Sequence, residues 1–197
     1  MSTYSFTLAL LAGSVGIGYL LGGRLSNLLG RNLRWLALAL AGFALQSYPV
    51  HAQGPAVALL LVSLGMLFVF GVANLGAPGI PLLCLGLLMN FAVIAANSGM
   101  PVPRASLSAS GQEATLPALE HSTIKHHLAG PGDVLMPLAD VVAIGPPVDL
   151  VFSPGDLAAF AGMAWLVIGG MRRKYSPRHV IVRGPPVKQR VRFSDAV

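Results

Sequence analysis

The stretch SPGDLAAFAGMAWLVIGGMRRK, residues 153–174, carries the start, body and stop of a membrane-crossing helix. Ser153 is a favoured N-cap residue and Pro154 fits the first helical position. Asp156 places negative charge at the positive end of the helix dipole. From Leu157 to Met171 there is no charged residue, and then Arg172, Arg173 and Lys174 follow in succession. A helix over 154–171 covers most of a ~30 Å hydrocarbon core.

Four more apolar blocks precede it. Tyr4 to Gly23 is uncharged, and its basic flank (Arg24, Arg31, Arg34) lies after it, which is the reverse of a signal peptide. Further spans are predicted at about Leu33 to Val50, Pro55 to Ala73 and Ile80 to Ala96, the last two joined by the turn Asn74 to Gly79. Composition agrees: hydrophobic residues make up 54% of the 197-residue chain, charged residues only 10%, and the mean hydropathy is +0.70. A water-soluble domain carries roughly 25% charged residues. The expected fold is an all-α integral membrane protein of about five transmembrane helices.

Charge placement orients these spans. With the N-terminus outside, eleven of the 13 basic residues fall on the cytoplasmic side, leaving only Arg104 and Lys125 outside. Six of the seven acids (Glu113, Glu120, Asp133, Asp140, Asp149, Asp156) fall in the external segment or at its edge. This is the positive-inside distribution of a multi-pass protein of the bacterial inner (cytoplasmic) membrane. It also explains a sequence pI near 10.1 without nucleic acid. The chain divides into a four-helix region 1–97, an external segment 98–153, a fifth helix 154–171 and a basic tail 172–197.

The external segment is the ambiguous part. Residues Asp133 to Phe152 are apolar enough to enter the membrane, but Pro137, Pro146, Pro147 and Asp140 interrupt them. They are expected as short broken helices in the outer interface or as a re-entrant hairpin, where irregular backbone needs protein or water cover. Gln112 to Leu128 is expected as an interfacial helix with His121 and Lys125 on one face.

Within the spans, Ser14, Gly18 and Gly22 form a small-residue face suited to close helix packing, and Ala158, Gly162 and Gly169 do the same in the last span. The notable polar residues inside the membrane are Gln46, Ser47, Asn90 and Asn97. The two asparagines share one helix face and suit interhelical hydrogen bonds. No ionisable residue lies mid-span, which disfavours an ion-coupled transporter. Cys84, the single cysteine, reads as a packing residue and excludes an intramolecular disulfide.

Catalytic signatures (GxSxG, P-loop, Rossmann fingerprint, HExxH, paired CxxC) are missing, so no catalytic residue, metal or cofactor is expected. His121, His126 and His127, with His51, do not have ligand spacing. The tail carries Arg172, Arg173, Lys174, Lys188, Arg190 and Arg192, and alternates over 187–193 as a strand with one basic face would. Contact with anionic lipid contributes about 1 kcal/mol per basic residue near the surface.

At the external segment the chain resembles a family of small bacterial membrane proteins known as domain of unknown function 5317. The resemblance rests on Asn97-Ser98-Gly99-Met100-Pro101-Val102, Lys125-His126, Leu138-Ala139-Asp140, Val151-Phe152-Ser153 and Gly155-Asp156. Its hydrophobic layout extends over residues 1 to 171. The resemblance implies a multi-pass topology and supplies no reaction, ligand or catalytic residue.

Two functional expectations follow. The first is a non-catalytic accessory or scaffold subunit that docks other membrane-protein subunits. The second is a binder or carrier of a lipid- or quinone-like ligand in an outer-leaflet pocket, with Asn97, Lys125, His126, Asp140 and Asp156 as polar contacts. In that pocket Lys125 and His126 would meet a phosphate and Asn97 would orient a head group.

Overall fold

The computed structural model describes residues 2–46, 48–50, 52–121 and 125–173. The tail from Lys174 onward, with Lys188, Arg190 and Arg192, lies outside the described residues, as do Ser47 and His51. Eight helices, α1 (Thr3–Leu20), α2 (Leu25–Leu29), α3 (Leu36–Gln46), α4 (Gln53–Ala73), α5 (Ile80–Asn97), α6 (Arg104–Ala109), α7 (Leu116–His121) and α8 (Pro154–Arg172), carry most of the described chain. Four short strands accompany them: β1 (Met100–Val102), β2 (His126–Leu128), β3 (Val142–Ile144) and β4 (Leu150–Phe152).

Four helices, α1, α4, α5 and α8, are long and apolar enough to cross a membrane. The block predicted over Leu33 to Val50 instead forms the 11-residue α3. Trp35 takes a left-handed backbone (φ 57°), which delays the helix start to Leu36. Beyond Gln46, Pro49 supplies no amide proton to continue the ladder.

The larger helices form a row in the order α3–α4–α5–α8–α1, each packed on the next. Helices α1 and α3, at the two ends of the row, have no substantial contact with each other. The chain's two ends of the bundle differ. At one end Arg24 N and Asn27 Nδ2 donate to the Met171 carbonyl, and Arg34 N donates to Asn74 Oδ1, so Arg24, Arg34, Arg172 and Arg173 gather there. At the other end, residues 98–153 form a cap.

The α5–α8 contact is the most extensive. Its closeness comes from small residues seven apart on both sides, Gly79 and Gly86 on α5 facing Gly155 and Gly162 on α8. A Cβ on Gly162 would lie 2.5 Å from Leu83 N, and one on Gly86 would lie 2.6 Å from Ala159 N. Gly79 also needs its left-handed φ of 77° to cap α5. Cys84 packs its sulfur against Gly71 of α4, as a packing residue does. Ser14 and Gly18 are the buried residues of α1, and Gly18 touches Met171. Gly22 does not join them: α1 ends at Leu20, Gly22 turns the chain at φ 76° in open space, and Gly23 makes the close contact with Met171.

The cap differs from the helical expectation. Residues 142–152 form a β-hairpin, β3 antiparallel to β4 with Val142 opposite Phe152, around a cis Pro146–Pro147 bond. A single 3-10 turn, Met136–Leu138, precedes it. The prolines that break a helix are placed at a turn here, and the alternating apolar residues pair across two strands. The interfacial helix is shorter than expected: α7 ends at His121, and Lys125 leads into β2, which pairs parallel with β1 (Met100 opposite His126). Phe6 of α1, Phe152 of β4 and Phe160 of α8 pack in tilted and edge-to-face pairs with ring centroids 4.9–5.4 Å apart and tie the cap to the helices.

Candidate functional site under the cap

The residues on which the resemblance rests converge on the cap. Asn97 ends α5, and the turn through Ser98 (φ 54°) feeds directly into β1. One edge of β1 pairs with β2, while the Pro101 carbonyl accepts from Asp140 N. This places Leu138-Ala139-Asp140 beside β1 and His126 nearby. Successive residues of a strand face opposite ways, and the two histidines do so. His126 Nε2 lies 3.7 Å from Asp140 Oδ2, and His127 Nε2 lies 2.9 Å from Asp133 Oδ1.

A cavity of about 680 Å³ lies under the cap, between the start of α1 (Thr3, Tyr4) and the chain leaving α3 (Gln46, Tyr48, Pro49, Val50). Lys125, His126 and Asp140 line it, with apolar cover from Val102, Leu107, Leu119 and Leu150. The shortness of α3 accounts for the space. The antiparallel register with α4, set by Arg34 beside Asn74 and by the Ser63 hydroxyl donating to the Gly42 carbonyl, extrapolates to place Gln46 near the level of Leu59. Helix α4 continues about 9 Å further before its first residue. The cavity borders the chain where another turn and a half of α3 would run.

Electrostatics at the cavity are unusual. The Asp140 side chain is only 8% exposed, and His126, at 3.7 Å, is within ion-pair reach but too distant for a hydrogen bond. Burial, reinforced by the charge of Asp156, pushes the Asp140 carboxyl well above the ordinary carboxylate range. His126 leaves 53% of its side chain exposed along the cavity, and the surrounding protein buries the rest. That burial, aided by Lys125 and His127 and opposed by Asp156, lowers its pKa from the ordinary 6.5. Both shifts favour uncharged forms. The Lys125 ammonium donates to the Gln46 carbonyl at 2.5 Å and, among the described residues, has no carboxylate within ion-pair distance.

Of the five residues expected to contact a ligand, then, three line the cavity. Asp156 sits behind it, where it accepts from Asn90 Nδ2 at 2.7 Å and closes a capping box with Ser153. Asn97 faces elsewhere: its amide donates to the Val93 and Val134 carbonyls and accepts from Val134 N, strapping the loop at 134 to α5. Sequence reasoning missed Tyr4, Tyr48 and Gln112 because they reach the cavity only through long-range folding. Gln112 is itself held by the Asp149 carbonyl. Among the described residues, no three His, Cys, Asp or Glu side chains converge as metal ligands would.

Apolar spanning helices roofed by a mixed cap define a membrane protein with a cavity at one end. Residues 31–168 match the family described as "Family of unknown function (DUF5317)", and the chain belongs to that family. The match begins at Arg31, so α1 lies outside it, although the hydrophobic layout of the resemblance takes α1 in. No curated protein and no solved structure matches the chain.

Proposed function

We propose that the protein binds an amphipathic ligand of lipid or quinone type in the cavity under the cap. The supporting observation is Asp140, a carboxyl only 8% exposed on the wall of a cavity it shares with Lys125 and His126, with no side-chain hydrogen bond among the described residues. A ligand head group that fills the cavity would give this carboxyl the hydrogen bond that the described protein groups do not. In this proposal the ligand enters beside α1 and α3, its apolar tail lying along the helices and its polar head meeting Lys125, His126 and Asp140, which line the cavity. In this reading all five apolar helices cross, α3 completing its crossing with non-helical chain beside the cavity. The cap faces outside and the arginine-rich end faces the cytoplasm of a bacterial inner membrane.

The test is native mass spectrometry of the protein purified in mild detergent. A retained small molecule is expected, and it should be lost when Val151→Trp fills the cavity, which Val151 also lines. A protein that carries no adduct, and takes up lipid equally well with Val151→Trp, contradicts the reading.

A second reading, a non-catalytic accessory or scaffold subunit, draws support from α1. That helix is attached along its Ser14–Gly18 edge and presents Leu8, Ile17 and Leu20 outward. Co-purification of a stoichiometric membrane partner that is lost with Gly18→Leu would favour it. A chain that runs alone in every mild detergent argues against it.

A further inference from the structure

We infer that the head of the ligand is an oxyanion, a phosphate monoester or a carboxylate, paired with Lys125 and hydrogen-bonded by Asp140. This rests on the binding reading above and specifies its head-group chemistry.

The cavity wall carries a lysine that has no acidic partner within ion-pair distance among the described residues. The fixed cation on the cavity wall is Lys125, and its one polar partner among the described residues is a neutral carbonyl, that of Gln46. One bond to that carbonyl leaves two ammonium protons unassigned. The other ionisable lining groups, His126 and Asp140, face each other and are both shifted toward their neutral forms. Around them stand Val102, Leu107, Leu119 and Leu150. An oxyanion in the cavity supplies the ionic partner that this ammonium lacks among the described residues.

The Asp140 carboxyl complements this. Burial favours the protonated form of this carboxyl; in that form it donates, and among the described residues its neighbour His126 is too distant to accept. A head group with several acceptor oxygens and one negative charge satisfies the ammonium and the acid together. A cationic head would meet Lys125 unfavourably. A neutral carbonyl head would satisfy Asp140 and leave Lys125 unbalanced.

The test uses the full chain, delipidated in a neutral maltoside detergent, and native mass spectrometry with three probes: dodecyl phosphate, lauroyl glycerol and inorganic phosphate. Dodecyl phosphate should bind one to one and at least about tenfold more tightly than lauroyl glycerol. Lys125→Gln, which keeps a donor for the Gln46 carbonyl but removes the charge, should abolish that preference, and Lys125→Arg should restore it. Equal binding of the two amphiphiles, unchanged in Lys125→Gln, overturns the oxyanion head but leaves the cavity as an amphiphile site. Inorganic phosphate bound as tightly as dodecyl phosphate, and through Lys125, upholds the oxyanion and removes the amphiphile. Failure of all three probes overturns both.

Discussion

Asn90 of α5 donates its side-chain amide to Asp156 of α8 at 2.7 Å, while its own carbonyl oxygen accepts from the Ser153 hydroxyl at 2.9 Å. One side chain thus ties the N-cap of α8 to the middle of its neighbour, where Gly155 lets the two backbones approach. Asn90→Ala removes both bonds and leaves Ser153 and Asp156 without that partner. The expected loss is about 1–3 kcal/mol, read as a lower unfolding midpoint in detergent. An unchanged midpoint would mean that water replaces the amide at no cost.

The glycine seam makes a separate prediction. Gly162→Ala puts a methyl against the backbone of α5, so overpacking should cost about 1–3 kcal/mol. Gly13→Ala and Gly16→Ala meet nothing within 4 Å and should leave stability unchanged or raise it by up to about 1 kcal/mol. Thermal unfolding of the three variants checks the contrast. Equal effects at Gly162 and Gly13 would remove the close α5–α8 approach from the account.

The cap should carry a pH signature. Because burial raises the Asp140 pKa, its contribution to stability is full below the ordinary value of 3.8 and is lost as pH rises through the raised value. Asp140→Asn removes that loss, so its midpoint should gain on the wild type as pH goes from about 4.5 to 8. His126 works in the opposite sense. Its lowered pKa means that stability present above 6.5 is lost as pH falls through the folded value. A difference between Asp140→Asn and wild type that does not vary with pH would show that the carboxyl is not buried as described.

Asn97 gives a local prediction. Its amide holds Val134 through both backbone groups, so Asn97→Ala should release that loop. Faster hydrogen exchange at Val134, with little change in the spans, is the expected result. Unaltered exchange there would mean that the His127–Asp133 contact alone secures the loop.

The four long helices were legible because lipid tolerates so little: uninterrupted apolar runs and a basic stop after Met171 leave few alternatives. The α8 start was legible to the residue, since the Ser153–Asp156 capping box is a local signal. The true length of α3 was not, because it depends on the left-handed backbone at Trp35. The cap was legible least. Parallel pairing of Met100–Val102 with His126–Leu128 joins segments more than twenty residues apart, and no local propensity announces such a pairing. That pairing decides which histidine faces the cavity. Lys125, His126 and Asp140, singled out by residue type within the resemblance motifs, line the cavity. Asn97 was drawn in on the same grounds, although its amide is committed to the backbone.

The account requires that the cap and the arginine-rich end lie on opposite sides of the bilayer. In a Cys84→Ala background, Gly130→Cys in the cap and Arg173→Cys beyond α8 can each be challenged with a membrane-impermeant maleimide in intact cells. The cap cysteine should label at once, and the Arg173→Cys variant only after permeabilisation. Labelling of both from the same side would contradict the crossing pattern and, with it, the lateral cavity at the outer leaflet.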